Sequence, residues 1–348
     1  MSQLRFGVIG CGEIAVQTIA GISAADNADI GMLMDARAET LRDLAEFYGA
    51  PTTTDVEEVY ANPDLDAVYI ATPHDLHVPI GIRAAEAGKH VYCEKPISTN
   101  LPDADRLIAA CKANGVTLGI AFTAQVDAAM AAARDMLRSG ILGRIMAVRL
   151  TAMGDKPAHY WTGGYTKRVT TDWRMSKARS GGGILIMNLI HDLNTVRWVT
   201  GLDVSRIYAE YDTLATDVEV EDTLSATVRY EGGAIGTFIG GSAMRGGGHE
   251  DVRGARIYCE KGQIILAQEP LIYQVEPAEG SAPGEWRPLR YSGPLGDREQ
   301  MVKGYAAAVL NGTEPPVTGL DGRKALEIAV ACYRSGETQQ PVSLPLEA

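Results

Sequence analysis

The chain has 348 residues, 46% hydrophobic and 22% charged, a length that predicts two domains and a composition that excludes intrinsic disorder. Its 44 acidic and 32 basic side chains give a formal net charge of −12, which excludes a generic nucleic-acid binder, since such proteins neutralise phosphates with Lys and Arg. No run approaches the roughly 18–20 apolar residues that span a bilayer, and MSQLRFGVIGCG enters a strand and glycine loop without the order of a signal peptide, so a cytoplasmic protein with no membrane partner is expected.

From the amino terminus, short apolar runs alternate with helical patterns. Strands are expected at 5–9, 30–34, 67–71, 90–93 and 117–121, with helices at 13–22, 37–48, 78–87 and 103–113. This β-α order predicts a doubly wound parallel sheet with helices on both faces and right-handed crossovers. After Phe122 the pattern changes to an Ala-rich helix at 126–139, a strand at 145–151, and an irregular segment rich in Gly, Thr, aromatic and basic residues. Gly181-Gly182-Gly183 then opens an apolar helix running to about 199. Two-residue alternation from 204 to 291, punctuated by Glu231-Gly232-Gly233 and Glu260-Lys261-Gly262, predicts antiparallel strands before late helices at 298–310 and 322–333. The expected fold class is therefore α/β, with a dinucleotide-type domain over 1–123 and an α+β domain with a large, open, mainly antiparallel sheet over 124–348. The five cysteines, Cys11, Cys93, Cys111, Cys259 and Cys332, are scattered without a C-x-x-C pair; small buried hydrophobes are expected, with neither disulfides nor a metal site.

Gly10-Cys11-Gly12-Glu13-Ile14-Ala15 follows a predicted strand and opens a helix, matching the G-x-G-x-x-G/A fingerprint in its required context. Gly10 permits the tight turn, Gly12 lets a pyrophosphate approach the backbone, and Ala15 lets helix and sheet pack closely. Asp35 ends the second strand, where a carboxylate accepts hydrogen bonds from both ribose hydroxyls and favours NAD over NADP. Arg37 competes with that reading, since it can flank the adenine or pair with a 2′-phosphate. The loops after the next two strands, Thr72-Pro73-His74 running on to His77 and Glu94-Lys95-Pro96, lie where open α/β sheets place their ligands. They add Thr72, Pro73, His74, His77, Glu94 and Lys95 to Gly10, Gly12, Glu13, Ile14, Asp35 and Arg37 as candidate cofactor contacts.

Lys95, directed by the following proline, is suited to hold a substrate hydroxyl and ease its deprotonation; a surface lysine is the competing reading. His191 shares a helical face with Met187 and Asn188 at α spacing, and is read as a pocket-facing acid–base group with a packed core histidine as the alternative. The stretch with Tyr160, Trp161, Lys167, Arg168, Asp172, Trp173 and Arg174 is the richest candidate for substrate contact, alongside Asn188 and His191, and competes with a surface or subunit-contact loop. Its aromatic faces suit sugar C–H surfaces, and Lys167, Arg168 and Arg174 predict a preference for an anionic substrate.

In this order, GCGEIA, the strand-end Asp35, ATPHDLH, CEKP and GGGILIMNLIH resemble the Gfo/Idh/MocA oxidoreductase family along essentially the whole chain. The resemblance implies an amino-terminal Rossmann domain, a nicotinamide cofactor, a carboxyl-terminal open sheet serving homodimer or homotetramer formation, and Lys95 and His191 as the catalytic pair. It also implies a sugar, glycoside or cyclitol substrate. Many polyol-oxidising members carry an aspartate where this chain has Met187, so either Asn188, Asn194 or Asp172 supports the histidine in its place or the histidine's role is altered. An NAD-dependent dehydrogenase is the expected function. The alternatives are an NAD-retaining glycoside hydrolase acting by transient ring oxidation, elimination and re-reduction, and a cofactor-binding regulatory protein without turnover.

Overall fold

The computed structural model describes residues 2–246, 253–267, 269–276 and 283–346. The chain forms two compact units that interleave along the sequence: Met1–Val126, Pro157–Gly182 and Gly296–Leu326 make the first, and Asp127–Lys156, Gly183–Leu295 and Glu327–Ala348 the second.

Six parallel strands build the first unit: β1 (Leu4–Ile9), β2 (Ala28–Met34), β3 (Thr52–Thr53), β4 (Ala67–Ile70), β5 (His90–Cys93) and β6 (Leu118–Ile120). Their order, β3-β2-β1-β4-β5-β6, is that of the dinucleotide-binding doubly wound sheet, whose direction of winding reverses between β1 and β4. The connecting helices are α1 (Glu13–Ala24), α2 (Arg42–Tyr48), α3 (Val56–Ala61), α4 (His77–Glu86) and α5 (Leu101–Ala113). β1 and β4 are apolar throughout because both sheet faces are covered: Phe6, Val8 and Tyr69 are buried against Ala15, Ile19 and Ile22 of α1 and against Val302 and Tyr305 of the late helix Arg298–Asn311.

The expected parallel sheet is present, with two additions and one change. Asp55 caps α3 by accepting the Glu57 N–H at 3.0 Å, and this six-residue helix and the two-residue β3 are too short to show a period in sequence. The helix expected from residue 37 instead begins as a 3₁₀ turn at Ala38–Thr40 followed by α2. Arg37 stays extended because its N–H is held by the Asp35 carboxylate at 3.0 Å.

Further along lie α6 (Ala128–Arg138), β7 (Ile145–Met153), α7 (Tyr160–Gly163), α8 (Lys177–Ser180), α9 (Ile190–Thr200), β8 (Val204–Asp212), β9 (Thr223–Tyr230), β10 (Ile235–Gly241), β11 (Arg253–Cys259), β12 (Gly262–Leu266), β13 (Leu271–Gln274), β14 (Trp286–Pro288), α10 (Arg298–Asn311), α11 (Gly319–Thr338) and β15 (Val342–Ser343). The expected strand run includes 247–252, 268 and 277–282, which lie outside the described residues. Nine strands of the second unit pair in the order β14-β13-β12-β11-β7-β10-β9-β8-β15, antiparallel except for β7 beside β10. One face is buried: Leu150, Tyr230 and Phe238 pack with Leu193 and Val196 of α9. Alternate residues of β9 and β10 face the other way and are exposed, as period-two patterning requires.

Candidate active site

In the first unit the glycine loop is fixed by the strand that follows it. Gly10 has φ +89, and a Cβ there would stand 2.9 Å from the Ala71 carbonyl, so only glycine fits. Its N–H donates to the Met34 carbonyl at 2.8 Å, and the next N–H, of Cys11, donates to Asp35 Oδ2 at 2.9 Å. Asp35, 7% exposed, thus ties the loop to the end of β2 while its other oxygen holds Arg37 N–H. Gly12 caps α1 without a side-chain bond, and nothing lies within 4 Å of where its Cβ would stand. A helix start with orphan N–H groups and open space above a glycine is a fit for a pyrophosphate. Beside it, the buried Thr72 Oγ1 has no hydrogen-bond partner among the described residues, which is what a contact reserved for a ligand leaves behind. The residues present therefore fit a dinucleotide.

Glu13 and Ile14 form the first turn of α1, but the Glu13 carboxylate is turned to the segment 157–182, accepting Tyr165 N–H at 3.0 Å and Thr166 N–H at 2.8 Å. Gly164 makes this possible, since a Cβ there would collide with Glu13 Oε2.

Glu94 and Lys95 sit at the end of β5. Glu94, 3% exposed, accepts from Tyr69 Oη and Arg298 Nη1, both at 2.7 Å, so its carboxylate braces the unit from within. Burial alone would raise its pKa; Arg298 and Lys95 turn the net shift downward. Desolvation, opposed by Glu94 and reinforced by Arg298 and Arg174, brings the Lys95 ammonium down to about 8. His77 is fully buried with Nδ1 2.8 Å from the Pro96 carbonyl and Nε2 3.0 Å from the Thr72 carbonyl, spanning both strand-end loops. His74, pushed well below its ordinary pKa by burial, is neutral, and Nδ1–H donates to the Ser180 carbonyl at 2.8 Å. Both histidines thus brace backbone, the second against the segment that carries Trp173, whose ring meets His74 edge-on at 4.5 Å.

The expected cationic cluster is dispersed. Arg168 donates to Asp43 through both terminal nitrogens (2.6 and 2.8 Å), to the Thr40 carbonyl at 2.6 Å and to the Cys11 carbonyl at 3.0 Å, and so belongs to the glycine-loop end of the unit. Arg174 stacks over Trp173 at 4.7 Å and Tyr160 at 5.4 Å. Tyr160 and Trp161 are buried; Lys167 is exposed at φ +58, and the exposed Asp172 pairs with Arg179 at 2.9 Å. Arg168→Ala is accordingly expected to destabilise the fold by about 1–2 kcal/mol, as the loss of a charge-assisted cluster does, and to leave substrate charge preference intact; thermal unfolding and paired-substrate kinetics read the two effects.

In the second unit, His191 lies in the first turn of α9, after a π-helical turn at Leu185–Leu189. The wider π turn alters the face expected from α spacing: Met187 is 3% exposed, whereas Asn188 and His191 are both half-buried. Glu221 fixes the start of this segment, accepting Gly183 N–H at 2.7 Å, Leu185 N–H at 2.9 Å and Tyr333 Oη–H at 2.9 Å. A Cβ on Gly183 would lie 1.9 Å from the Glu221 carbonyl oxygen, and Gly181 has φ +82, which accounts for two of the three glycines. Asn188 Oδ1 accepts from the Lys156 ammonium, and Asn194 is fully buried. Sequence reasoning missed Lys156, Glu221 and Arg298. Glu221 is hidden among Asp217, Glu219 and Asp222, an acidic stretch in which no single carboxylate stands out.

Comparison with known proteins adds a family assignment to each region. Residues 4–122 match the model described as "Oxidoreductase family, NAD-binding Rossmann fold", and residues 130–265 the "GFO/IDH/MocA C-terminal domain". The chain is 29% identical over 347 residues to a 1,5-anhydro-D-fructose reductase of Ensifer adhaerens, covering 98% of each, and 26% identical over 349 residues to a myo-inositol 2-dehydrogenase of Thermotoga maritima, again covering 98% of each. Among solved structures it resembles the WlbA dehydrogenase of Bordetella pertussis in complex with NADH and UDP-GlcNAcA, at a TM-score of 0.83 and 26% identity, covering 99% of this chain and all of that one.

Proposed function

The chain belongs to the Gfo/Idh/MocA oxidoreductase family, and from that premise we propose that it is an NAD-dependent dehydrogenase acting on a carbinol of a sugar, glycoside or cyclitol, with Lys95 and His191 as its catalytic pair. The observation that carries this reading is the first unit's strand-end arrangement: an open glycine loop latched by Asp35, with a cation of lowered pKa at the end of β5. The backbone at Gly10, Gly12, Glu13 and Ile14 would hold the pyrophosphate, with Asp35 on the ribose and Thr72 Oγ1 and Pro73 toward the nicotinamide half. The nicotinamide cofactor supplies, when bound, the hydride acceptor for oxidation and the donor for reduction. Lys95 donates to the reacting hydroxyl and stabilises its oxygen as charge develops there. His191 accepts the hydroxyl proton at an imidazole nitrogen and returns it in the reverse direction. Trp173 and Arg174 line the substrate side, with Asn188 beside His191. A screen of free sugars, cyclitols and glycosides that records NADH formation tests the reading, and the absence of NADH formation across all three classes would overturn it.

The preference is for NAD. Asp35 presents a carboxylate where a 2′-phosphate would bring negative charge, and Arg37 is already engaged, 3.8 Å from Asp35 Oδ1 and donating to the Thr170 carbonyl at 3.3 Å. Asp35→Ala is expected to weaken NADH binding about tenfold or more, because the ribose acceptor and the Cys11 and Arg37 anchors are lost together, and to erase discrimination against NADPH. Fluorescence titration of both cofactors decides it; tighter NADPH binding by the parent would mean that Arg37 dominates.

One observation favours the redox-neutral alternative, the NAD-retaining glycoside hydrolase. Residues 165–170 are tied to the glycine-loop end of the first unit through Glu13, Cys11 and Arg37, so a cofactor seated there would exchange slowly. Aglycone release without net NADH formation, recorded in the same screen, would select that reading. The exposed sheet face, bearing Tyr208, Ile235 and Ile239, supports a homodimer or homotetramer; light scattering gives the mass.

A further inference from the structure

Arg298 is the first residue of α10, next to the capping Asp297 and before Glu299, where the aligned peptide dipoles favour an acid over a cation. Its place is nevertheless built into the packing. Gly21 of α1 lies against it, and a Cβ on that glycine would stand 2.8 Å from the Arg298 carbonyl oxygen. From there the side chain, 20% exposed, reaches Glu94 Oε1 at 2.7 Å.

Glu94 gathers donors on both oxygens. Tyr69 Oη–H shares Oε1 at 2.7 Å, and the backbone N–H of Lys95 donates to Oε2 at 3.3 Å. On the other side of Lys95, His77 Nδ1 stands 2.8 Å from the Pro96 carbonyl, so the chain is held both before and after the lysine. A buried ion pair adds little net stability over well-packed apolar groups, because both charges have been taken out of water. Stability alone therefore does not explain Arg298.

The neighbouring ammonium does. A buried carboxylate beside an ammonium draws it in and stabilises its charge, and a guanidinium on that carboxylate offsets the pull. Burial opposes the charged form of Lys95 most, Glu94 favours it, and Arg298 and Arg174 oppose it. The other ionisable groups around this cluster are neutral where Lys95 titrates: burial lowers His74 and His77 and raises Tyr69 and Tyr92.

We propose that Arg298 is a positioning residue of the active site, which by pairing with Glu94 keeps that carboxylate on the Lys95 N–H and limits its pull on the Lys95 ammonium, so that the ammonium is directed to the reacting hydroxyl. Arg298 acts through Glu94 and not by contact with the substrate. This deepens the dehydrogenase reading and rests on it for the role of Lys95.

The test follows Lys95 itself. In protein carrying ¹³C at the lysine ε carbons, the Lys95 signal is the one missing from Lys95→Met, and its titration is recorded without substrate across the neutral and alkaline range. The parent midpoint is expected at about 8. Arg298→Met and Arg298→Gln should each move it upward by about half a pH unit or more, since Glu94 then acts unopposed. Arg298→Lys should return it toward the parent, and Glu94→Gln should move it down. The glutamine variant, which can still donate to Glu94, decides the matter if the methionine variant does not fold. Arg323→Met breaks the pair with Asp105 elsewhere in the same unit and should leave the Lys95 midpoint in place while lowering the unfolding temperature. A midpoint unmoved by the neutral Arg298 variants, or moved in one direction by these and by Glu94→Gln alike, would overturn the inference. Fluorescence titration with NADH separates it from the reading it rests on. Normal NADH binding with an unmoved midpoint overturns the role of Arg298 alone, whereas a midpoint that moves as expected in a protein that binds no NADH overturns the dehydrogenase reading and leaves the link from Arg298 to Lys95 standing.

Discussion

Lys95→Met is expected to lower turnover by about 10²–10⁴-fold, the range typical of a lost proton-handling group, and at the same time to raise thermal stability. The two effects share one cause. Lys95 is charged at neutral pH in a site that disfavours the charge, since desolvation and the neighbouring Arg298 and Arg174 outweigh Glu94 and lower its pKa from 10.5 to about 8. Between those values the unfolded chain holds a proton that the folded chain has released, so stability rises with pH across roughly 8 to 10.5 and is reduced below it. Removing the ammonium relieves that cost, worth about 1–2 kcal/mol at pH 7 once the side chain's partial exposure and Glu94's lost neighbour are allowed for. A few degrees in the unfolding midpoint follow. The same pKa sets a kinetic limb: kcat/KM should fall above about pH 8 in the parent as the ammonium is lost, and the limb should be missing from the methionine variant. A parent rate that climbs steadily through pH 10 would remove the ammonium from the mechanism.

The first unit was legible because its chemistry is local. Gly10, Gly12 and Asp35 lie within one β-α-β stretch, where tight turns, backbone approach and strand ends dictate residue type, and Lys95 is marked by its position before a proline at the end of a strand. Arg298 was invisible: it reaches Glu94 from 204 positions away, and nothing in its own helix distinguishes it from a surface arginine. Arg168 misled for a related reason. Its aromatic and basic neighbours suggested a ligand, whereas its partners, Asp43 and the Thr40 and Cys11 carbonyls, come from the glycine-loop end of the first unit. In the second unit the strands were legible from their two-residue period, but the π turn was not, since an apolar run such as ILIMNLI carries no period that separates α from π geometry. Lys156 precedes a proline after a strand, as Lys95 does, yet only the fold reveals that it meets Asn188.

His191→Ala should lower kcat by about 10²–10⁴-fold with little change in NADH affinity, because the proposed acceptor of the hydroxyl proton is gone. Restoring the carboxylate that many polyol-oxidising relatives carry is not expected to help. Met187 is 3% exposed between Ile186 and the π-turn residues that follow, so Met187→Asp buries a carboxylate in an apolar setting, and a cost of about 2–4 kcal/mol in unfolding free energy is expected. Asn188→Ala should behave differently, keeping most of the stability but lowering kcat/KM, as the Lys156 ammonium loses the oxygen that positions it. If Met187→Asp instead raised kcat at unchanged stability, the polar contacts of His191 would run through position 187, and Asn188 would have no part in them.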